Sequence, residues 1–192
     1  MRVTQKTLSV CAEIISGVPE QKKAEDGACA YKAVMPCQIT ASGFVREYGQ
    51  IRRIPGKTMP FLQVGDVLIK RLNPDWAVVF DDDTVNTLPS ANLFVIRPNP
   101  DQLDPYFLAF ILESSKALDR ISQRSGIGTA VSAVTTNQIR QCIIPLPAMA
   151  EQRKLGALWR CAKKKNELLR QLIAENDRLL FALSKKYISN PR

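Results

Sequence analysis

The side chains that carry most enzyme chemistry are scarce in this sequence. Its 192 residues include no histidine, so the usual general base for a serine or cysteine nucleophile is missing. Cys11, Cys29, Cys37, Cys142 and Cys161 are odd in number, form no Cys-x-x-Cys pair and have no histidine to complete a zinc site, so they read as free, reduced thiols. Asp81-Asp82-Asp83 continues into Thr84-Val85-Asn86 without the glycine and closing glutamate of a calcium loop, which makes it a solvated turn. Gly126-x-Gly128 lacks the lysine and the helix start of a nucleotide-phosphate loop. Neither catalysis, a metal nor a cofactor is expected.

What remains is positive charge. Lys and Arg number 27 against 18 Asp and Glu, a net charge of +9 that points to a polyanionic partner. Residues 1–150 hold 16 bases and 14 acids, residues 151–192 hold 11 and 4, so most of the excess lies on the tail. Residues 1–60 hold 9 bases against 5 acids and residues 61–104 hold 3 against 7, a segregation that allows a basic face opposite an acidic one. Reading a nucleic acid takes cations on phosphates and polar side chains at base edges. Lys22, Lys23, Lys32, Arg46, Arg52, Arg53 and Lys57 fill a loop-rich stretch together with Tyr48 and Gln50. Lys70 and Arg71 leave an expected strand together, and Arg120 and Arg124 precede Ser125 to Thr129, whose glycine-bared amides can approach a phosphate. Any one of these cations is an ordinary surface charge; the hypothesis concerns the group.

Several short elements must hold them. Leu8, Val10, Ala12 and Ile14 alternate as in a half-buried strand that ends at Ser16-Gly17-Val18-Pro19. Pro36, Gly43, Gly49, Pro55 and Gly56 break residues 28–60 into short strands and exposed loops. Gly65-Asp66 predicts a turn, Val67 to Lys70 and Trp76 to Phe80 two strands of a hairpin around Asn73-Pro74-Asp75, and Ala91 to Ile96 a further strand closed by Pro98. Asp104-Pro105 has helix-opening chemistry, and Phe107, Leu108, Ile111, Leu112 and Leu118 continue at helical spacing to about Ile121. Cys142 to Ile144 supplies one more strand before Pro145-Leu146-Pro147.

Residues 150–187 contain no proline and only Gly156, which predicts a helix of about 55 Å, too long to pack within a small domain. With Leu155 at heptad position a, the a series is Leu155, Ala162, Leu169, Asn176 and Leu183, and the d series is Leu158, Lys165, Leu172, Leu179 and Lys186. Trp159, Ile173, Leu180 and Tyr187 widen the stripe toward a helical pair or bundle. Asn176 either fixes register against another polar group or lies solvated at the stripe's edge. Lys163-Lys164-Lys165 is by default a solvated helix face, with phosphate or an acidic partner as its other reading.

The ordered set Gly65-Asp66-Val67-Leu68-Ile69-Lys70, Asp104-Pro105-Tyr106-Phe107-Leu108, Gly126-Ile127-Gly128-Thr129, Ile139, Ile143-Ile144-Pro145-Leu146-Pro147 and Glu151-Gln152 resembles the specificity subunits of type I restriction-modification systems. Near the start, Glu13-Ile14-Ile15-Ser16-Gly17 also fits, whereas Ala148-Met149 departs from the Pro-Leu usual before Ala-Glu-Gln. The resemblance implies an α+β chain with three parts. Residues 1–148 would be a target-recognition domain of short strands and a few helices, 149–188 one long coiled-coil or bundle helix for dimerisation and spacing, and 189–192 a tail. It also implies half of a full subunit, because no internal repeat is present, and double-stranded DNA as the ligand. The partners would be a second copy or another half-subunit, DNA methyltransferase subunits docked on the helices and, where the system has one, a restriction subunit; methyl transfer and cleavage would belong to those other chains. Lys22, Lys23, Arg46, Tyr48, Arg52, Arg53, Lys57, Lys70, Arg71, Arg120, Arg124 and Thr129 are then the DNA-binding candidates. Leu155, Leu158, Trp159, Ala162, Leu169, Leu172, Ile173, Asn176, Leu179, Leu180 and Leu183 are the helix-pairing candidates.

Two other readings compete with this one. Asn73-Pro74-Asp75-Trp76 approaches the catalytic tetrapeptide of adenine methyltransferases, but Asp75 replaces its second proline and no glycine-rich cofactor turn follows an early strand. The stronger alternative is a non-catalytic interaction or scaffold protein whose basic helix binds a helical partner, or DNA without sequence preference. No window reaches the ~18 apolar residues of a membrane span and no signal-peptide apolar region opens the chain, so a cytoplasmic location is expected.

Overall fold

The computed structural model describes residues 3–21, 27–56, 58–114, 117–118 and 133–188. The expected α+β class holds: these residues form short strands, a few helices and one long C-terminal helix. The chain opens with β1 (Thr4–Thr7), a single helical turn α1 (Leu8–Cys11) and β2 (Ala12–Ser16), followed by β3 (Cys29–Val34) and β4 (Gly49–Arg53). Next come β5 (Val67–Lys70), β6 (Ala77–Val79), β7 (Leu88–Pro89) and β8 (Leu93–Pro98). Helix α2 (Pro105–Ser114), the short α3 (Thr136–Arg140), strand β9 (Ile143–Leu146) and α4 (Met149–Ile188, 40 residues) complete the order.

The central sheet runs β2-β8-β5-β6, antiparallel throughout. Its strands read as near-continuous apolar runs because both faces are covered. Ile14, Val67, Ile69, Phe94 and Ile96 face Phe107, Leu108 and Leu112 of α2, whereas Leu68, Val78, Leu93 and Val95 pack on Val34, Ile39, Val45 and Leu62 from the β3 side. A smaller sheet, β4-β3-β7, closes over Val18, Ala33, Ile51 and Leu88. The Gly65-Asp66 turn is fixed by a buried charge pair. Asp66 is 1% exposed, accepts from Arg97 Nε and Nη2 at 2.8 Å each, and accepts from the Gln63 amide at 2.8 Å.

One expected strand is interrupted. The alternation from Leu8 to Ile14 predicts continuous β-structure, but Leu8 and Cys11 are both buried while Val10 is exposed, the one-turn spacing of a helix. The turn lets the chain change sheets: β1 pairs with β9, whereas β2 pairs with β8. The amide of Leu8 donates to Cys142 O and Asn99 donates to Cys11 O, each at 2.8 Å, tying the turn into both neighbours. Helix α3 carries Ile139 of the ordered motif set. Its Thr135 cap and Gln138 exchange hydrogen bonds in a capping box.

Candidate nucleic-acid interface

The β3–β4 ribbon brings part of the expected cation group together. Antiparallel partners share a face, so Ala30 with Arg52 and Lys32 with Gln50 lie on one side, while Tyr31 with Ile51 lie on the other. Ile51 is buried, which turns Gln50 and Arg52 outward. Arg53, next in the strand, takes the opposite side and donates to Pro19 O at 3.2 Å. Thus Arg52 and Arg53 do not act as an adjacent pair. The outward Arg52 is exposed and donates to Ala28 O at 3.3 Å.

At the end of this face, Asp82 gathers donors. Tyr48 Oη donates to it at 2.5 Å, Thr84 donates from its amide and hydroxyl at 2.9 and 2.5 Å, and Lys32 Nζ lies 3.8 Å away and 3.5 Å above the Tyr48 ring centroid. Thr84 and Tyr48 hold the Asp82 carboxyl down at about 2. Burial, and then the bond to Asp82, push the Tyr48 phenol well above its ordinary value, so it stays a protonated donor. Asp81-Asp82-Asp83 is therefore a hydrogen-bonded turn that braces Tyr48, and no metal-holding cluster occurs among the described residues.

The other expected cations are placed differently. Lys70 reaches Asp75 of the hairpin turn at 3.5 Å, whereas Arg71 lies over the Phe94 ring at 4.4 Å, so the two diverge instead of entering a groove together. Successive strand side chains alternate, so adjacency in sequence does not put two side chains on one face. Arg46 is a tie to the long helix, 3.0 Å from Glu167 and 3.6 Å from Asp81. Lys22, Lys23, Lys57, Arg120, Arg124 and Thr129 lie outside the described residues, as does Gly126-Ile127-Gly128.

Helix α4 has two distinct faces. Gln152, Gly156, Trp159, Lys163 and Glu167 recur at three- and four-residue spacing and face the globular part. Gln152 donates to Gln102 O and Pro147 O and accepts from the Asp104 amide, all at 3.0 Å; Asp104 in turn caps α2 by accepting from Phe107 N at 2.9 Å. Trp159 is 7% exposed, packs near Phe44 and Tyr106, and donates to Glu113 Oε2 at 3.1 Å. Leu155 packs against the same core. Trp159 therefore belongs to the chain's own interior and Leu155 is partly covered by it; the seven-residue pattern cannot tell which neighbour an apolar residue meets. Lys163 is likewise no solvated cation: it is 8% exposed and 2.7 Å from Glu113 Oε2. Lys164 and Lys165 remain exposed.

Beyond Glu167 the helix leaves the globular part. There Leu169, Leu172, Ile173, Asn176, Leu179, Leu180 and Leu183 are exposed, with Leu168 and Phe181 beside them; Leu158 and Ala162, before Glu167, are exposed as well. Leu168, Leu169 and Leu172 form an open apolar patch with Arg160, Cys161 and Lys164 along this one helix.

Residues 63–175, which contain β5 to β9, the seam and the start of this stripe, match the family model of the type I restriction modification DNA specificity domain. The chain belongs to that family. A type I restriction enzyme specificity subunit of Methanocaldococcus jannaschii, MjaX, is 24% identical over 101 residues, which is 50% of this chain and 24% of that protein. The HsdS subunit of Thermoanaerobacter tengcongensis superposes with a TM-score of 0.67 at 21% identity, covering 96% of this chain and 48% of that one. A type I restriction-modification S subunit from M. genitalium gives 0.62 at 15% identity over 98% and 48%. The fold is thus shared, and the chain spans about half the length of these solved S subunits. Within this specificity-domain fold, the residues missed from sequence are Glu113 and Gln102, which meet α4. Asp104, in the Asp-Pro helix start, and Gln152, in the Glu-Gln pair, carried a signal.

Proposed function

We propose that this specificity-family chain reads one half of a bipartite double-stranded DNA target, pairs through α4 with a second copy or another half-subunit, and docks DNA methyltransferase subunits. It acts as the recognition component while chemistry stays with those partners. The observation that carries the reading is family membership over residues 63–175. The outward Gln50 and Arg52 of the β3–β4 ribbon support it, since amide and guanidinium groups suit adenine and guanine edges in a major groove. The exposed apolar stripe of α4 supports the pairing, because so long a row of leucines is costly to leave in water. A restriction subunit joins where the system has one. No described helix is long and apolar enough to cross a membrane.

The charge distribution favours one other reading, a basic-helix interaction protein without sequence preference, since residues 151–192 carry 11 bases against 4 acids. Selection from a random DNA pool by the purified chain, with and without a methyltransferase partner, separates the two. A recovered two-part inverted motif with a fixed spacer establishes the recognition subunit. Salt-sensitive binding with no motif in either arm establishes the alternative.

A further inference from the structure

The seam between α4 and the globular part holds a buried charge pair that DNA contact and helix pairing leave unused. Lys163 Nζ and Glu113 Oε2 lie 2.7 Å apart with side chains 10% and 13% exposed. Each makes further directional bonds: Glu113 accepts from Trp159 Nε1 at 3.1 Å and from the Ala77 amide at 3.3 Å, while Lys163 donates to Ala41 O at 3.3 Å. Lys163 Nζ also stands 5.0 and 5.2 Å from the ring centroids of Trp76 and Trp159. Four separate segments thus meet at one ammonium–carboxylate contact: the hairpin after Asn73, α2, α4 and the 40–44 loop. That loop passes so close that a Cβ on Gly43, whose φ is +79°, would stand 2.9 Å from Lys163 Cγ and from the Trp159 ring.

A pair this buried contributes little net stability compared with apolar side chains of the same volume. What it supplies is one permitted geometry, since its bonds fail if the helix rotates or swings. We infer that Lys163–Glu113 is a positioning lock that fixes the angle of α4 on the globular part and, resting on the DNA-reading proposal, the spacing between the two half-sites. Gln152 and Gly156 hold one end of the seam. A swing of about 10° about that end moves Ile188, about 50 Å further along, by about 9 Å, more than two base-pair steps of about 3.4 Å. An anchor at Gln152 alone therefore permits several spacers, and a second one at Lys163 selects one.

The test uses Lys163→Met with Glu113→Gln, which removes both charges together and avoids stranding one. Arg46→Gln, at the half-exposed outer tie to Glu167, is the second variant. Spin labels at Val85→Cys and Asp177→Cys, with Cys29, Cys37, Cys142 and Cys161 replaced by serine and labelled chains diluted into unlabelled protein, report the angle within one chain without DNA. Wild type gives a narrow distance distribution; the double variant broadens it by about 6 Å, and Arg46→Gln broadens it less. In pool selection the double variant keeps the half-site bases but accepts two or more adjacent spacers where wild type accepts one. An unchanged distance distribution in the double variant, equal broadening in Arg46→Gln, or a broadened distribution with a single spacer overturns the lock as proposed. Should wild type select no motif while the double variant still broadens the distances, the DNA reading falls and the angular lock stands.

Discussion

Asp82 collects more donors than a surface carboxylate normally does, and that predicts an acid response. Thr84 and Tyr48 lower its pKa from 3.8 to about 2. A carboxylate with a depressed folded pKa contributes stability that is complete above its unfolded value and is lost as pH falls through the folded one. Unfolding free energy, followed by urea titration, should therefore decline between pH 3.8 and about 2. The decline should be shallower in Asp82→Asn; equal slopes in the two proteins would remove Asp82 from the account. Glu167, lowered by Lys164 first and by Arg46, adds in the same direction. Asp66 answers a different question. Its carboxylate is 1% exposed and Arg97 is its charge partner, so Asp66→Asn strands a partly buried guanidinium and should cost about 1.5–3 kcal/mol. A urea midpoint that barely moves would show water replacing the bond. Asp66 was visible in the sequence only as half of a Gly-Asp turn, because the partner that gives it meaning lies 31 residues away.

At the scale of elements, Gly156 shows how close the seam is. Alanine in a helix interior gains about 1 kcal/mol over glycine. Here, however, the added Cβ would stand 2.6 Å from Asp104 Oδ1 and 2.9 Å from Phe107 N, the capped start of α2. Neither atom is the free end of a flexible chain, so overpacking of about 1–3 kcal/mol prevails. Gly156→Ala should lower the thermal midpoint, whereas a rise would mean that α2 yields to the helix. Local pattern was a good guide wherever one neighbour decides the outcome. The β5–β6 hairpin, the Asp104-Pro105 helix start and the long helix all follow from turn chemistry and periodicity within a few residues. It failed where the neighbour is distant. The Leu8–Cys11 turn exists because the chain must leave β9 for β8, and no alternation within seven residues records that. Trp159 and Lys163 look like stripe and solvated face until Glu113 is brought beneath them by the fold.

At the scale of the whole molecule, the same helix does two jobs at different points along its length, packing on its own globular part up to Glu167 and presenting leucines beyond it. The sequence made the recognition-family order of motifs legible, yet the candidates for DNA contact only as a group of cations. Strand register then separates Arg52 from Arg53 and Lys70 from Arg71, because a period of two sends neighbours to opposite faces. The outer stripe gives the sharpest test of pairing. Leu172 and Leu179 are 67% and 58% exposed, so Leu172→Glu with Leu179→Glu should leave each chain folded, with unchanged circular dichroism. If α4 pairs with a second copy, four buried leucines are lost per pair, about 6 kcal/mol or more at roughly 1.5 kcal/mol each. That weakens association by about 10,000-fold. Sedimentation equilibrium should then show wild type paired and the variant monomeric at the same concentration, with recovery of a single half-site replacing the two-part motif. Identical sedimentation of the two proteins would place the pairing surface elsewhere and leave the leucine row to a docked subunit.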